Sequence, residues 1–155
     1  MKYPYGTTIF CDDIRDEVGG KKTYVGSYRG DYIIFGDFPL IVPLFCLSVS
    51  YFEPIKEDLH PTSIKVFVPG DSSESETILD FDLPMNRRER IQENISDPFA
   101  EYFASIIDFK ISPFLIKKEG HVKVRAYRSD IEYRLGTIYI RKPKPDEKIP
   151  GMPPQ

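Results

Sequence analysis

The amino-acid sequence predicts an all-β protein, an antiparallel β-sandwich of seven to nine strands, and three observations carry that expectation. Short alternating segments rich in β-branched and aromatic residues recur from Thr7 to Lys142, each bounded by Gly, Pro, Asp or Ser. Aromatic residues make up 14% of the chain without a single Trp, a Tyr/Phe-rich composition that suits pleated surfaces. Only one stretch, 86–96, departs from the two-residue rhythm.

Strands are expected at 7–11, 22–28, 32–35, 44–53, 63–68, 76–83, 103–111, 121–127 and 132–141. Alternation assigns Phe45, Leu47, Val49 and Tyr51, then Ile64, Val66 and Val68, Leu79, Phe81 and Leu83, and Val122, Val124 and Ala126 to inner faces. Their neighbours Ser48, Ser50, Lys65, Asp80, Asp82, Lys123 and Arg125 are expected to meet water. In the last strand Tyr133 and Leu135 share one parity and Ile138 and Ile140 the other, so a bulge at Gly136, with an unusual backbone conformation there, is needed to turn both pairs inward. The polar stretch NRRERIQENIS at 86–96 sets Ile91 and Ile95 four apart and predicts a short helix or irregular crossover between the sheets, ended by Asp97-Pro98. Residues 70–75 read as a solvated turn, and 143–155, with five Pro, as a flexible tail beyond a single domain at 1–142.

At 155 residues, with 41% hydrophobic and 29% charged residues, the chain can bury a core of its own without metal or disulfide staples. The net charge of −3 conceals an asymmetry: residues 1–116 hold 11 Lys and Arg against 19 Asp and Glu, and 117–148 hold 10 against 5, so an acidic body (−8) carries a basic hairpin (+5). The N-terminus lacks an apolar signal core, and the run PLIVPLFCLSV is too short and Pro-interrupted to span a bilayer, so a cytoplasmic protein with no membrane partner is expected. In that setting Cys11 and Cys46 are expected as two buried, reduced thiols in separate strands.

The segment IFCDDIRDEVGGKKTYVGSY carries Phe10, Cys11, Asp12, Asp13, Ile14, Arg15, Glu17, Gly19, Lys21, Gly26 and Tyr28 in the spacing FCDD-(I/V)-R-x-E-x-G-x-K-x-S-L-x-G-x-Y, with Thr23-Tyr24 in place of Ser-Leu. In this it resembles a family of uncharacterised bacterial and phage-borne proteins, a likeness confined to the first third of the chain that implies no activity. The closing segment ISPFLIKKEGHVKVRAYRSDIEYRLGTIYI is similar to the final hairpin of immunoglobulin-like domains, which implies an immunoglobulin-like arrangement of the sandwich.

Chemistry-bearing residues are few. Asp12, Asp13, Asp16 and Glu17 form the densest set of oxygen donors and make a Ca²⁺ loop the metal alternative, although Arg15 sits among them and they read first as turn-shaping carboxylates. A thiol nucleophile would need His60 or His121 beside Cys11 or Cys46, and the carboxylates after Cys11 oppose a thiolate. Asp80 and Asp82, two apart on a strand, mark a wet face rather than an acid/base pair. Lys123, Arg125, Tyr127, Arg134 and Arg141 on the last hairpin interleave cations with an aromatic, which suits a protein partner or, as the alternative, nucleic acid. No cofactor and no catalytic motif is expected. The reading is a non-enzymatic protein-interaction or assembly module, with another protein or a second copy as partner, presenting its end loops, Asp12 to Gly20 foremost, the basic hairpin and an edge strand.

Overall fold

The computed structural model describes residues 1–72 and 74–152. Twelve strands and one short helix follow in chain order: β1 (Tyr5–Cys11), β2 (Asp13–Glu17), β3 (Lys21–Val25), β4 (Asp31–Ile33), β5 (Leu40–Val42), β6 (Phe45–Pro54), β7 (Thr62–Pro69), β8 (Ser75–Asp82), α1 (Met85–Glu93), β9 (Tyr102–Ile111), β10 (Phe114–Ile116), β11 (Gly120–Arg128) and β12 (Ile131–Arg141). All nine expected strands are present. The count exceeds the expected seven to nine because the acidic stretch after Cys11 is itself a strand, β2, and because β5 and β10 are three-residue strands too short to show a period.

A three-stranded antiparallel sheet in the order β1-β6-β9 and a five-stranded sheet in the order β4-β12-β11-β7-β8 enclose one hydrophobic core. Phe45, Leu47, Val49 and Tyr51 from β6 meet Ile64, Val66 and Val68 from β7, Val122, Val124 and Ala126 from β11, and Leu135, Ile138 and Ile140 from β12. These are side chains that alternation assigns inward, and the two-residue period of a strand is the physical reason they converge. In and just beyond β8, Leu79 packs against the core and Leu83 is buried, but Phe81, expected inside, is 36% exposed because β8 is the end strand of its sheet. The five-stranded sheet is antiparallel except where β4 runs parallel to β12, and the pairs β2-β3 and β10-β5 complete the fold. Among the described residues no helix is long and apolar enough to cross a membrane.

The irregularity in β12 falls where the parity switch demands it. Val124 pairs with Gly136 and Arg125 with Arg134, so Leu135 is the extra residue, and Tyr133, Leu135, Ile138 and Ile140 all turn toward the core. Gly136 is absent from the glycines with positive φ, so it does not take the unusual backbone conformation expected of it. It is required for space: a Cβ there would lie 2.9 Å from Cβ of Thr8 on β1. Gly6 on β1 is confined in the same way, with a would-be Cβ 2.8 Å from Cδ2 of Leu135. The two glycines let β1 and β12 approach where the sheets meet.

The chain crosses from the five-stranded to the three-stranded sheet through α1, as the break in rhythm implies. The helix is polar, and the residue it buries is neither Ile91 nor Ile95 but Arg88, 1% exposed. Ile95 lies beyond the helix end, so the two isoleucines never form the expected stripe. Arg88 donates from Nε to Oε2 of Glu53 at 2.8 Å and from Nη2 to Oε1 of the same carboxylate, which is also 1% exposed. Its remaining donors reach the His60 carbonyl at 2.9 Å and Thr62 Oγ1 at 3.3 Å. A bidentate pair with every donor satisfied is the form in which a charge tolerates burial.

The expected turn at 70–75 and tail at 143–155 fall in part on residue 73 and residues 153–155, which lie outside the described residues. In the described part of the tail, Glu147 returns to Arg141, and the Lys144 N–H donates to the same carboxylate at 2.8 Å.

Candidate interaction surface

The acidic stretch folds as a hairpin. Asp13 to Glu17 pair with Val25 to Lys21 in register, setting Asp16 opposite Lys22 and Glu17 opposite Lys21, so a strand with cross-strand opposite charges replaces the carboxylate-shaped turn expected there. Each of the four carboxylates has its own setting. Asp12 accepts the Tyr28 hydroxyl, Asp13 accepts Arg15 Nε at 3.2 Å and Lys110 Nζ at 3.4 Å, Asp16 pairs with Lys22, and Glu17 is exposed. Arg15 first, with Lys110 and the Ile14 N–H, holds the Asp13 carboxyl below its ordinary range, and Lys22 does the same for Asp16. Among the described residues no three His, Cys, Asp or Glu side chains gather so as to hold a metal ion, and the cations Arg15, Lys22 and Lys110 stand where Ca²⁺ would need open oxygens.

The hairpin has an apolar underside that covers the outer face of the three-stranded sheet. Ile14 and Tyr24 pack over Cys11 and Cys46, and the Tyr24 hydroxyl lies 3.1 Å from Ser48 Oγ. Ser48 is therefore buried, which corrects the expectation that it meets water. Cys11 and Cys46 are register partners on adjacent strands, both buried and both free thiols. Burial, with Cys46, Asp12 and Asp13 adding to it, pushes the Cys11 thiol up to about 11, and burial raises Cys46 as well. Neither histidine joins them: His121 stacks on Tyr139 at 4.7 Å on the other sheet, and the cluster around the thiols consists of Ile14, Tyr24 and Leu44. A nucleophilic thiolate has no support there.

On the basic hairpin, β11 and β12, the outer face lines up Lys123, Arg125 and Tyr127 with Arg134 and Arg141. Two of the cations are consumed internally. Arg125 pairs with Glu132 at 3.3 Å and donates to the Gly136 carbonyl, while Arg141 donates from Nε to Asp31 at 2.7 Å and from both terminal nitrogens to Glu147 at 2.8 and 2.7 Å. Tyr127 is engaged by Glu132 at 2.9 Å and by Lys65 over its ring at 5.4 Å. Lys123 and Arg134 remain of the five, so the hairpin is a charge-balanced lattice rather than an open cationic stripe.

The Arg141 fork gives a pH prediction. Arg141 first, then the Lys144 N–H, lowers the Glu147 carboxyl from 4.5 to about 2. A depressed carboxyl contributes its anchoring in full above the ordinary value of 4.5 and loses it progressively as pH falls to about 2, so residues 142–147 are expected to stay docked at pH 5 and to release only as pH approaches 2. Side-chain NMR titration of Glu147 checks this: Arg141→Gln moves the midpoint up toward 4.5, and a wild-type midpoint already at 4.5 contradicts the anchor.

Two surfaces go unused by the fold itself. The uncovered half of the outer face of β1-β6-β9 carries Tyr5, stacked on Phe52 at 4.8 Å and edge-on to Tyr102 at 5.1 Å, with Ile9 and Ile106 beside them. Tyr5 is 51% and Ile106 57% exposed, a combination rare for neighbouring large apolar side chains on one sheet face. The sheet also ends at β9, which pairs with β6 on one side and, among the described residues, with no strand on the other. Consecutive residues Ala104 to Asp108 line a cleft of about 220 Å³ opposite Phe81, Arg87 and Ile91.

The two larger sheets have four end strands: β1, which lies against β12 at Gly6 and Thr8, the three-residue β4, and the longer β8 and β9, whose edges differ. β8 is interrupted by a register shift opposite Val66 and Phe67 and carries Glu76, Asp80 and Asp82, the bulge and charges that deter strand addition. β9 pairs with β6 over ten residues without a register shift, contains no Pro, and presents Ala104 and Ile106 at its middle. Sequence reasoning anticipated an edge strand without identifying it. Strand order is a property of long-range pairing, and the one local signal was that β9 alternates little, with apolar Ala104 and Ile106 on the parity opposite Phe103 and Ile107. In comparisons with known proteins, no family model, no curated protein and no solved structure matches the chain.

Proposed function

We propose that the chain is a non-enzymatic protein-interaction or assembly module, an immunoglobulin-like β-sandwich that recruits its partner through β9 and the adjoining apolar face. The unblunted edge of β9 beside exposed Tyr5 and Ile106 carries this reading. An unpaired strand offers a row of main-chain donors and acceptors, which supply affinity by strand addition, while flanking side chains supply specificity. The partner class is protein, because a main-chain ladder is matched by another main chain and not by a phosphate backbone. The internally balanced cations of the basic hairpin give nucleic acid no comparable footing.

Immobilised wild type and an Ile106→Lys variant test the assignment against cell extract. A stoichiometric protein retained by the wild type and lost by the variant is expected, since a charge replaces the 57% exposed centre of the edge. Equal retention by both would remove β9 from the function.

A further inference from the structure

The open edge of β9 is complementary to itself, and we propose that its partner is a second copy of the chain, joined by antiparallel β9 to β9 pairing across a two-fold axis at Ile106. This deepens the interaction-module reading and rests on it.

The ladder determines which main-chain groups are free. The Ile55 N–H donates to the Glu101 carbonyl at 3.0 Å, continuing the β6-β9 register in which Glu53 faces Phe103 and Leu47 faces Phe109. Main-chain groups alternate sides along a strand, so odd-numbered residues of β9 address β6. On the far side of β6 the Tyr28 N–H donates to the Phe10 carbonyl at 2.9 Å, which turns Phe10 away from its partner Leu47 and makes the facing main-chain pair Cys11 with Cys46. Leu47 then addresses β9, in agreement with the first assignment. Tyr102, Ala104, Ile106, Asp108 and Lys110 accordingly direct their N–H and C=O groups to the open edge.

Two such edges can pair antiparallel only in registers that oppose even residues to even residues. With the two-fold at Ile106, all five outward residues find partners: Ile106 opposes its copy, Ala104 opposes Asp108, and Tyr102 opposes Lys110. No like charges meet. Lys110 and Asp108 keep their own partners, Asp13 at 3.4 Å and Lys22 at 3.1 Å, and come opposite Tyr102 and Ala104 as neutralised pairs, while the 57% exposed Ile106 is covered by its own copy. Moving the axis by one residue in either direction leaves fewer outward residues paired. The closed two-fold consumes both open β9 edges in a continuous six-stranded sheet; β8 is bulged and acid-bearing, β4 is three residues long and β1 lies against β12, so the assembly stops at a dimer.

Sedimentation equilibrium from micromolar to near-millimolar concentration tests the proposal. The wild type is expected to reach twice 17.9 kDa. Ile106→Pro removes an N–H that addresses the open edge and leaves the β6 ladder intact, so the variant should fold and dimerise roughly tenfold or more weakly. Ile106→Lys places two ammonium groups on the axis and should have the same effect without altering the backbone, while Ile106→Val should retain the dimer. A wild type that stays monomeric, a dimer indifferent to both disruptive variants, or growth to larger assemblies overturns the proposal. If the wild type is monomeric yet retains a foreign protein that Ile106→Lys loses, the self-pairing fails and the interaction-module reading stands. If neither is seen, both fail.

Discussion

Arg88→Met is expected to lower the unfolding free energy by about 3–5 kcal/mol, the loss associated with stranding one charge of a buried pair. Glu53 and Arg88 are each 1% exposed, so the carboxylate left behind has no route to water without moving α1. The variant also removes donors from the His60 carbonyl and Thr62 Oγ1, although Thr62 still donates to His60 at 2.9 Å. Urea denaturation of Arg88→Met, of Glu53→Leu and of the double variant separates the costs. The double variant should recover most of the loss, because two apolar side chains of similar reach do not incur the desolvation of either ion. A single Arg88→Met variant within about 1 kcal/mol of wild type would mean that the pair does not dock the helix.

That ion pair marks where sequence reading stops. Nine of the strands were legible because an inward apolar residue every second position is a local signal, strong in Phe45 to Tyr51 and in Val122 to Ala126. Glu53 stood on the inner parity of β6, two residues beyond Tyr51, and an acid there already called for a buried cation. Its partner lies 35 residues away on a helix whose remaining residues are polar or half-buried, and no local pattern distinguishes Arg88 from Arg87 or Arg90. The hairpin β2-β3 was obscured for a related reason. Its charges read as a turn, whereas Ile14 packing on Cys11 and Cys46 decides the conformation, with opposed charges supporting the pairing. The candidate surface was half legible: an edge was implied by any open sheet, while the identity of β9, its clean register and its neighbour Tyr5 depend on strand order.

Phe45→Ala is expected to cost a further about 3–5 kcal/mol, the range for removing a buried aromatic from a packed core. Phe45 is 1% exposed and its ring lies 6.1 Å from Phe10, 5.9 Å from Tyr32 and 4.6 Å from Phe114, so one side chain binds β6 to β1, β4 and β10. Against the roughly 5–15 kcal/mol that holds a domain folded, the loss is a large share, and the thermal midpoint should fall by on the order of 10 °C. Phe114 belongs to the small β10-β5 pair, which joins the main core through this ring stack together with Ile116, Leu40 and Val42. Phe114→Ala alone should therefore loosen residues 40–42 and 114–116, and a double-mutant cycle with Phe45→Ala should return a coupling of about 0.5–1.5 kcal/mol. Strict additivity would show that the β10-β5 pair is held by other contacts and that Phe45 serves only the central core.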